Sequence, residues 1–245
     1  MRLGNHLVVM AKAPRLGRVK RRLAAAVGDQ AALAFYRRAL AGLLRRVGRD
    51  PRWRCWLYVT PDRAMSCGRL WPRGLPRRPQ GQGDLGRRMA RPFAELPPGA
   101  VVIVGSDIPG IARRHILEAF RQLGRHDAVL GPASDGGYWL IGLRRRPHTP
   151  RPFRGVRWSS PHALADTVAG FDARHTLALL EELEDVDDGT SYARFRARQR
   201  ARRPLRFKRG SPASDAPAAA ASARPGCRDD SGNRAASAGS RPNRP

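Results

Sequence analysis

The stretch "AVVIVGSD", residues 100–107, is an unbroken apolar run that ends in a carboxylate. A run with no polar alternation is typical of a strand that is covered on both faces in a mainly parallel sheet. Asp107 stands where this strand ends, and a carboxylate there is unfavourable unless it is paired, caps a helix or binds a cation. The stretch therefore predicts a central strand with a polar site at its carboxyl end.

Similar apolar runs recur along the chain, and helical patterns separate them. Strands are predicted at "HLVVMA" (6–11), "WRCWLYVT" (53–60), "DAVLGPA" (127–133) and "YWLIGL" (138–143), with a turn-rich segment at 61–82. Helices are predicted at about 28–47, from Asp84, at 112–124, from Ser160 as N-cap with Pro161 at N1, and at the closing "GTSYARFRARQRARR"; "TLALLEEL" fits either element. This alternation predicts an α/β sandwich with a mainly parallel sheet.

The chain of 245 residues has a formal net charge of +27, which raises the hypothesis of nucleic-acid binding. Lysine occurs only at Lys12, Lys20 and Lys208, so the charge comes almost entirely from arginines, which are scattered from end to end. We interpret this as a compositional preference for arginine. Because recognition motifs are missing, no dedicated nucleic-acid binding is expected.

Cysteine spacing and hydropathy bear on the cellular compartment expected for the protein. Cys55, Cys67 and Cys227 form neither a zinc motif nor a disulfide framework, so a reducing cytoplasm is expected. No apolar run approaches the roughly 18 residues of a membrane span.

Residues 1–209 are predicted to form one folded domain. Residues 210–245, which have no aromatic residue, are predicted to be a disordered tail.

The loop "AKAPRLGRVKRRL" after the first strand combines glycine, proline and cations before a helix. Backbone amides at such a helix start bind phosphate, and lysine supplies a compact charge for its oxygens. Two of the three lysines of the chain fall in this loop. Phosphate binding by Lys12, Gly17, Lys20 and Arg22 is therefore the favoured interpretation, and a solvated basic helix start is the alternative.

Two further loops contain carboxylates beside glycines. In "QGQGDLGRRM" (80–89), Gly83 allows close backbone approach, but the simpler reading is a turn in which Asp84 caps the next helix. In "GPASDGGYWLIGL" (131–143), Asp135, Gly136 and Gly137 fit a hairpin turn or the close approach of a ligand. Asp107 itself is interpreted as a metal ligand in preference to a cap.

The segment "EELEDVDDGTS" is the one acidic cluster of this basic chain. It could be a solvated charge run, or it could complete a cation site with Asp107. Alternation along an extended segment puts Asp185 and Asp187 on one side. Asp188 fits a helix cap better.

In this order the motifs "AKAPRLGRVKRRL", "QGQGDLGRRM", "GSDIPG", "GPASDGGYWLIGL", "WSS" and "DVDDGTS" resemble the DUF2064 family over about residues 5–195. That family comprises predicted glycosyltransferases of the GT-A fold. It is more distantly similar to guanylyltransferases of coenzyme biosynthesis and to molybdenum-cofactor nucleotidyltransferases. The resemblance implies a nucleotide-diphospho-sugar-transferase-like, three-layer α/β sandwich. This sequence departs from the family pattern at Leu16, Arg21 and Ser134 and lacks a later acid in the last motif.

The resemblance also implies roles for individual residues. Asp107 and Asp187, with Asp185 as second choice, would hold Mg²⁺ or Mn²⁺; Lys20 and Arg22 would meet the phosphates. The nucleotide would lie near Gly83 and Asp84, and the acceptor pocket is assigned to Asp135, Gly136, Gly137, Tyr138 and Trp158.

The expected function is metal-dependent transfer from a nucleotide-activated donor, with Asp107 and Asp135 as catalytic residues. Glycosyl transfer from a nucleotide sugar to a small-molecule acceptor is favoured, and nucleotidyl transfer to a small phosphorylated acceptor is the alternative. Two non-catalytic alternatives remain: a basic nucleic-acid-binding protein, and a degenerate transferase fold that acts as a binding module.

Overall fold

The computed structural model describes residues 4–201, which form one sheet with helices on both of its faces. The strands are β1 (His6–Lys12), β2 (Arg54–Thr60), β3 (Arg77–Pro79), β4 (Val101–Gly105), β5 (Ala128–Pro132), β6 (Tyr138–Leu143) and β7 (Leu177–Leu179). The α-helices within this range are α1 (Arg21–Val27), α2 (Asp29–Val47), α3 (Leu85–Glu95), α4 (Arg113–Gln122), α5 (Ala163–Ala169) and α6 (Gly189–Ala201). The predicted tail, residues 210–245, lies outside the described range.

The sheet has the strand order β3-β2-β1-β4-β6-β5-β7. β6 runs antiparallel to both β4 and β5, and every other neighbouring pair is parallel. The mainly parallel, mixed sheet predicted from the sequence is thus confirmed. β1 and β4 are parallel neighbours, so the loops that follow them emerge side by side at one edge of the sheet.

Alternate residues of the central strands supply two separate hydrophobic cores. Leu7, Val9, Val102 and Val104 pack on the face covered by α2 and α4. Val8, Val101 and Ile103 pack on the opposite face, against Met89 and Phe93 of α3. Burial on both faces explains why the strands read as continuous apolar runs, and it confirms the three-layer arrangement.

Two details of the predicted element order are wrong, and one ambiguity is resolved. β3 lies in the segment predicted to be only turns, because a three-residue edge strand of sequence Arg-Arg-Pro carries no apolar pattern. α5 begins at Ala163, not at Pro161; the Ser160 hydroxyl accepts from the His162 amide in the turn that precedes the helix. The "TLALLEEL" segment contributes the strand β7.

None of the helices found between residues 4 and 201 has the length and apolar character needed to cross a membrane.

Candidate active site

The candidate site forms where the loops after β1 and β4 meet. Lys20 ends the first loop immediately before α1, and its backbone is in the left-handed region, with φ of 47°. Asp107 follows β4 by two residues. Because β1 and β4 are neighbours, side chains separated by 87 positions in the sequence come into contact.

Lys20 joins two carboxylates that come from distant parts of the chain. Its ammonium lies 3.1 Å from Asp107 Oδ2 and 3.0 Å from Asp187 Oδ1. The Lys20 side chain is 3% exposed, whereas those of Asp107 and Asp187 are 42% and 37% exposed. The two carboxylates therefore converge on one buried cation while parts of both still face solvent.

Electrostatics keep the Lys20 ammonium charged. Burial acts to lower the pKa of Lys20, but the charges of Asp107 and Asp187, together with the hydrogen bonds to them, outweigh burial and raise that pKa above its ordinary value. Arg22 adds a second cation, 3.2 Å from Asp187 Oδ2, on a largely exposed side chain.

The position of Asp187 follows from its neighbours in the sequence. Val186 is buried in a cluster with Leu23 of α1 and Phe35 of α2. In an extended segment the residues flanking a buried side chain point the other way, which directs Asp185 and Asp187 to the same side. The Ser191 hydroxyl accepts from the Asp187 amide at 3.0 Å, and Asp188 accepts from the Ser191 amide at the start of α6. The prediction that Asp188 is a cap is confirmed.

The buried hydroxyl groups of Tyr36 and Ser106 link the backbones of the loops after β1 and β4. The Tyr36 hydroxyl lies 3.0 Å from Ser106 Oγ; it also donates to the Lys12 carbonyl and accepts from the Lys12 amide, both at 2.9 Å. Burial raises the pKa of Tyr36 to about 12, so the phenol stays protonated. Sequence reasoning missed Tyr36 and Ser106; the only available signal was a tyrosine within the apolar pattern of α2.

A cavity of about 380 Å³ opens beside the Lys20–Asp107–Asp187 contact. Among the residues that line it, seven were predicted site residues: Asp107, Asp135, Gly137, Tyr138, Trp158, Asp185 and Asp187. Lining residues that sequence reasoning missed include Leu85, Met89, Ser159 and Ser160. The structure thus brings four of the five predicted acceptor residues and the three predicted metal ligands to one cavity, whereas Gly136 does not line it.

Asp135 lies in the turn of the β5–β6 hairpin, which is also one wall of this cavity. The Gly137 amide donates to Asp135 Oδ1 at 2.9 Å, which fixes the carboxylate within its own turn. Gly136 has φ of +83°, and its carbonyl accepts from the Leu164 amide at 3.0 Å. The same segment can therefore form a hairpin turn and also line a ligand cavity.

Asp185 is a partly buried aspartate at the cavity. Burial, followed by the charge of Asp135, raises the pKa of Asp185 above its ordinary value, and the attraction of Lys20 offsets this only in part. Asp135 and Asp185 are thus close enough to repel each other.

The remaining predicted nucleotide-binding residues do not line this cavity. The Lys12 side chain is exposed, and Gly17 has φ of +67° in the first loop. Asp84 accepts from the Arg87 amide at 2.8 Å as the N-cap of α3, as the simpler interpretation had it, while the Gly83 carbonyl accepts from Arg88. Asp84 lines a separate cavity of about 930 Å³ between α3 and residues 149–155.

Comparison with known proteins agrees with this architecture. Residues 43–160 match the family model DUF2064, described as an uncharacterized protein conserved in bacteria. The resemblance to DUF2064 is confirmed. The matched segment contains Asp107 and Asp135, whereas Lys20, Asp185 and Asp187 lie outside it.

Solved structures are similar to this chain over most of the described residues. A Desulfovibrio desulfuricans protein, named for a proposed nucleotide-diphospho-sugar transferase activity, is 29% identical, with a TM-score of 0.69 over 80% of this chain and 95% of its own. A 4-diphosphocytidyl-2C-methyl-D-erythritol synthase from Anaerococcus prevotii is 10% identical, with a TM-score of 0.55 over 81% and 96%. A Mycobacterium tuberculosis protein solved in complex with manganese is 16% identical, with a TM-score of 0.50 over 79% and 98%.

These likenesses establish the nucleotide-diphospho-sugar-transferase-like fold and support the prediction of a transferase. Among curated proteins, none is significantly similar to this chain.

The acidic residues of the site fit a divalent cation held jointly with a substrate. Within residues 4–201, no group of three or more histidine, cysteine or acidic side chains forms a metal site made by protein alone. Asp107 and Asp187 nevertheless direct one oxygen each at a single cation. Mg²⁺ is commonly bound through one or two carboxylates plus substrate phosphates, so this pair meets the requirement.

Replacing Gly136 with Ala should disrupt the wall that carries Asp135. A Cβ atom at this position would overlap the Pro161 carbonyl oxygen, and the φ of +83° disfavours any side chain. We expect the free energy of unfolding, measured with urea, to fall by about 2 kcal/mol or more.

Gly155→Ala is the matched control for this substitution, because Gly155 has φ of +73° but open space around its Cβ position. In this variant the free energy of unfolding should fall only by the cost of a left-handed backbone at a non-glycine residue, about 1 kcal/mol. Equal losses in the two variants would show that the crowding at Pro161 has no energetic effect.

Proposed function

We propose that this protein is a metal-dependent glycosyltransferase that moves a sugar from a nucleoside-diphosphate sugar to a hydroxyl group of a small-molecule acceptor. The observation that supports it is the convergence of Asp107 and Asp187 on the Lys20 ammonium beside a cavity that Asp135 also lines. One end of such a site suits a diphosphate, and the other suits a hydroxyl group.

In this proposal the donor diphosphate lies beside the loop of residues 13–20. Asp107 and Asp187 would hold Mg²⁺ or Mn²⁺, which when bound offsets the negative charge of the diphosphate. The Lys20 ammonium and the more exposed Arg22 guanidinium would contact phosphate oxygens. The amides of Ala13, Arg15 and Arg18 donate to backbone carbonyls, so the amides that would contact the same anion are those of Leu16, Gly17, Val19 and Lys20.

Asp135 is proposed to orient and deprotonate the acceptor. Its Oδ1 accepts from Gly137, and Oδ2 has no hydrogen-bond partner among residues 4–201, so it is available to accept from an acceptor hydroxyl. The acceptor oxygen would form a bond to the anomeric carbon as the bond from that carbon to the diphosphate oxygen breaks. The electron pair would leave with the nucleoside diphosphate, and the acceptor proton would pass to Asp135.

Nucleotidyl transfer is the second candidate, because a cytidylyltransferase shares the fold. It would use the same donor side, but the attacking group would be an acceptor phosphate.

A thermal-shift panel tests the proposal. We expect one nucleotide sugar among UDP-, GDP- and CDP-sugars to raise the melting temperature by several degrees with Mn²⁺, and much less without it, because a ligand stabilises the state that it binds. GTP, CTP and UTP in the same panel test the nucleotidyl alternative. Stabilisation by generic DNA at low salt, with no response to any nucleotide, would instead favour a nucleic-acid-binding protein.

A further inference from the structure

The 380 Å³ cavity has the opposite charge to the rest of the protein. The chain carries 47 lysines and arginines against 20 acidic residues. Among the described residues that line the cavity there are four aspartates and no lysine, arginine or histidine. In a chain so rich in arginine, the absence of any basic side chain from this lining distinguishes the cavity from the surrounding surface.

The four aspartates form two pairs, of which only the first has an ion-pair partner among the described residues. Asp107 and Asp187 share the Lys20 ammonium. Neither Asp135 nor Asp185 forms an ion pair with a basic side chain among residues 4–201. These two carboxylates therefore line the cavity with no ion-pair partner among the described residues.

Two aromatic rings line the same cavity as this second pair. Tyr138 and Trp158 both line the cavity and meet edge to face, with ring centroids 6.5 Å apart. The Tyr138 hydroxyl is within 3.4 Å of Thr167 Oγ1, and burial raises the pKa of Tyr138, so the phenol stays neutral. Aromatic rings attract cations, and adjacent carboxylates add to that attraction.

Given the proposed function, we infer that the acceptor is a hydroxyl compound that carries a positively charged amino or quaternary ammonium group and no phosphate. Asp135 and Asp185 supply the counter-charge, and Tyr138 and Trp158 supply the surface against which the cationic group packs. A phosphorylated acceptor would meet two unpaired carboxylates, so this inference also disfavours nucleotidyl transfer to a phosphate.

Calorimetric titration with shape-matched probes tests the inference on the full chain. Choline and 3,3-dimethyl-1-butanol have the same shape and hydroxyl group but differ in charge. Glucosamine and glucose form a second pair, and glucose 6-phosphate adds a negative charge. Each probe is titrated with and without Mn²⁺ and the nucleotide that stabilises the protein most.

We expect the cationic member of at least one pair to bind about tenfold more tightly than its neutral partner, and glucose 6-phosphate to bind more weakly than glucose. The preference should disappear in the double variant Asp135→Asn/Asp185→Asn. It should persist in Glu182→Gln, which removes one exposed charge from the same acidic segment but outside the cavity lining.

Equal or undetectable binding within both pairs, or a preference for glucose 6-phosphate, would overturn the inference. These outcomes are separate from failure of the proposed function. If a nucleotide and Mn²⁺ stabilise the protein while the pairs bind alike, only the acceptor class is wrong. If no nucleotide stabilises it, the transferase proposal fails whatever the probes show.

Discussion

Replacing Asp107 with Asn should reduce metal-dependent turnover of the donor about 10³-fold or more. Asn keeps the size of the side chain and can still accept a hydrogen bond from Lys20, so the loop after β4 should keep its shape. The substitution removes the negative charge that a divalent cation needs, and loss of one preorganised electrostatic group commonly costs a factor of 10²–10³ in rate. Losing the cation as well should increase that cost.

Turnover can be measured before the acceptor is known, as Mn²⁺-dependent release of nucleoside diphosphate when water replaces the acceptor. Asp172→Asn is the matched control, since Asp172 is an exposed aspartate paired with Arg174 and does not line the cavity. Circular dichroism and melting temperature check that both variants are folded. Wild-type activity in purified Asp107→Asn would show that the metal assignment is wrong.

The sequence predicted the sheet well because the central strands are buried on both faces. Residues 6–11, 53–60 and 101–105 have no polar alternation, and only a covered, mainly parallel sheet accommodates such runs. The hairpin at Asp135-Gly136 was also readable, because that dipeptide favours a tight turn between two apolar runs. β3 was missed because an edge strand of three residues is defined by its partner β2 and not by its own sequence.

The candidate site was predictable in its parts but not in its contacts. Strand ends indicated Asp107 and the loop of Lys20, and alternation around Val186 indicated that Asp185 and Asp187 face the same way. The Lys20 ammonium contacts both Asp107 and Asp187 because β1 and β4 are neighbours in the sheet and because of the anchoring of α6. Neither of these is a local property of the sequence. The support of Ser106 by Tyr36 is equally non-local.

The structure places apart residues that the family resemblance had assigned to one nucleotide site. Asp84 and Gly83 were predicted to lie near the nucleotide together with Lys20, yet Asp84 caps α3 and borders a different cavity. Donor contacts from that loop remain a prediction.

Replacing Lys20 with Met should change catalysis and metal binding in opposite directions. Met keeps most of the length of the side chain but removes the ammonium that would contact the donor phosphates. Turnover should therefore fall by about 10²–10³-fold, as for other groups that stabilise charge on a leaving group. Asp107 and Asp187 would then lose their shared counter-ion, so Mn²⁺ alone should bind about tenfold more tightly than it does to the wild-type protein, because the ammonium no longer competes for the two carboxylates.

The effect of Lys20→Met on folding should be small, about 1 kcal/mol, because Asp107 and Asp187 are 42% and 37% exposed and water can solvate them. Mn²⁺ affinity is read by calorimetry, turnover by release of nucleoside diphosphate, and stability by urea unfolding. Arg22→Met is the control: its side chain is 73% exposed and contacts only Asp187, so each quantity should change by a few-fold at most. If Mn²⁺ binding falls together with turnover in Lys20→Met, the lysine positions the carboxylates and does not compete for them, because loss of a competitor can only strengthen metal binding.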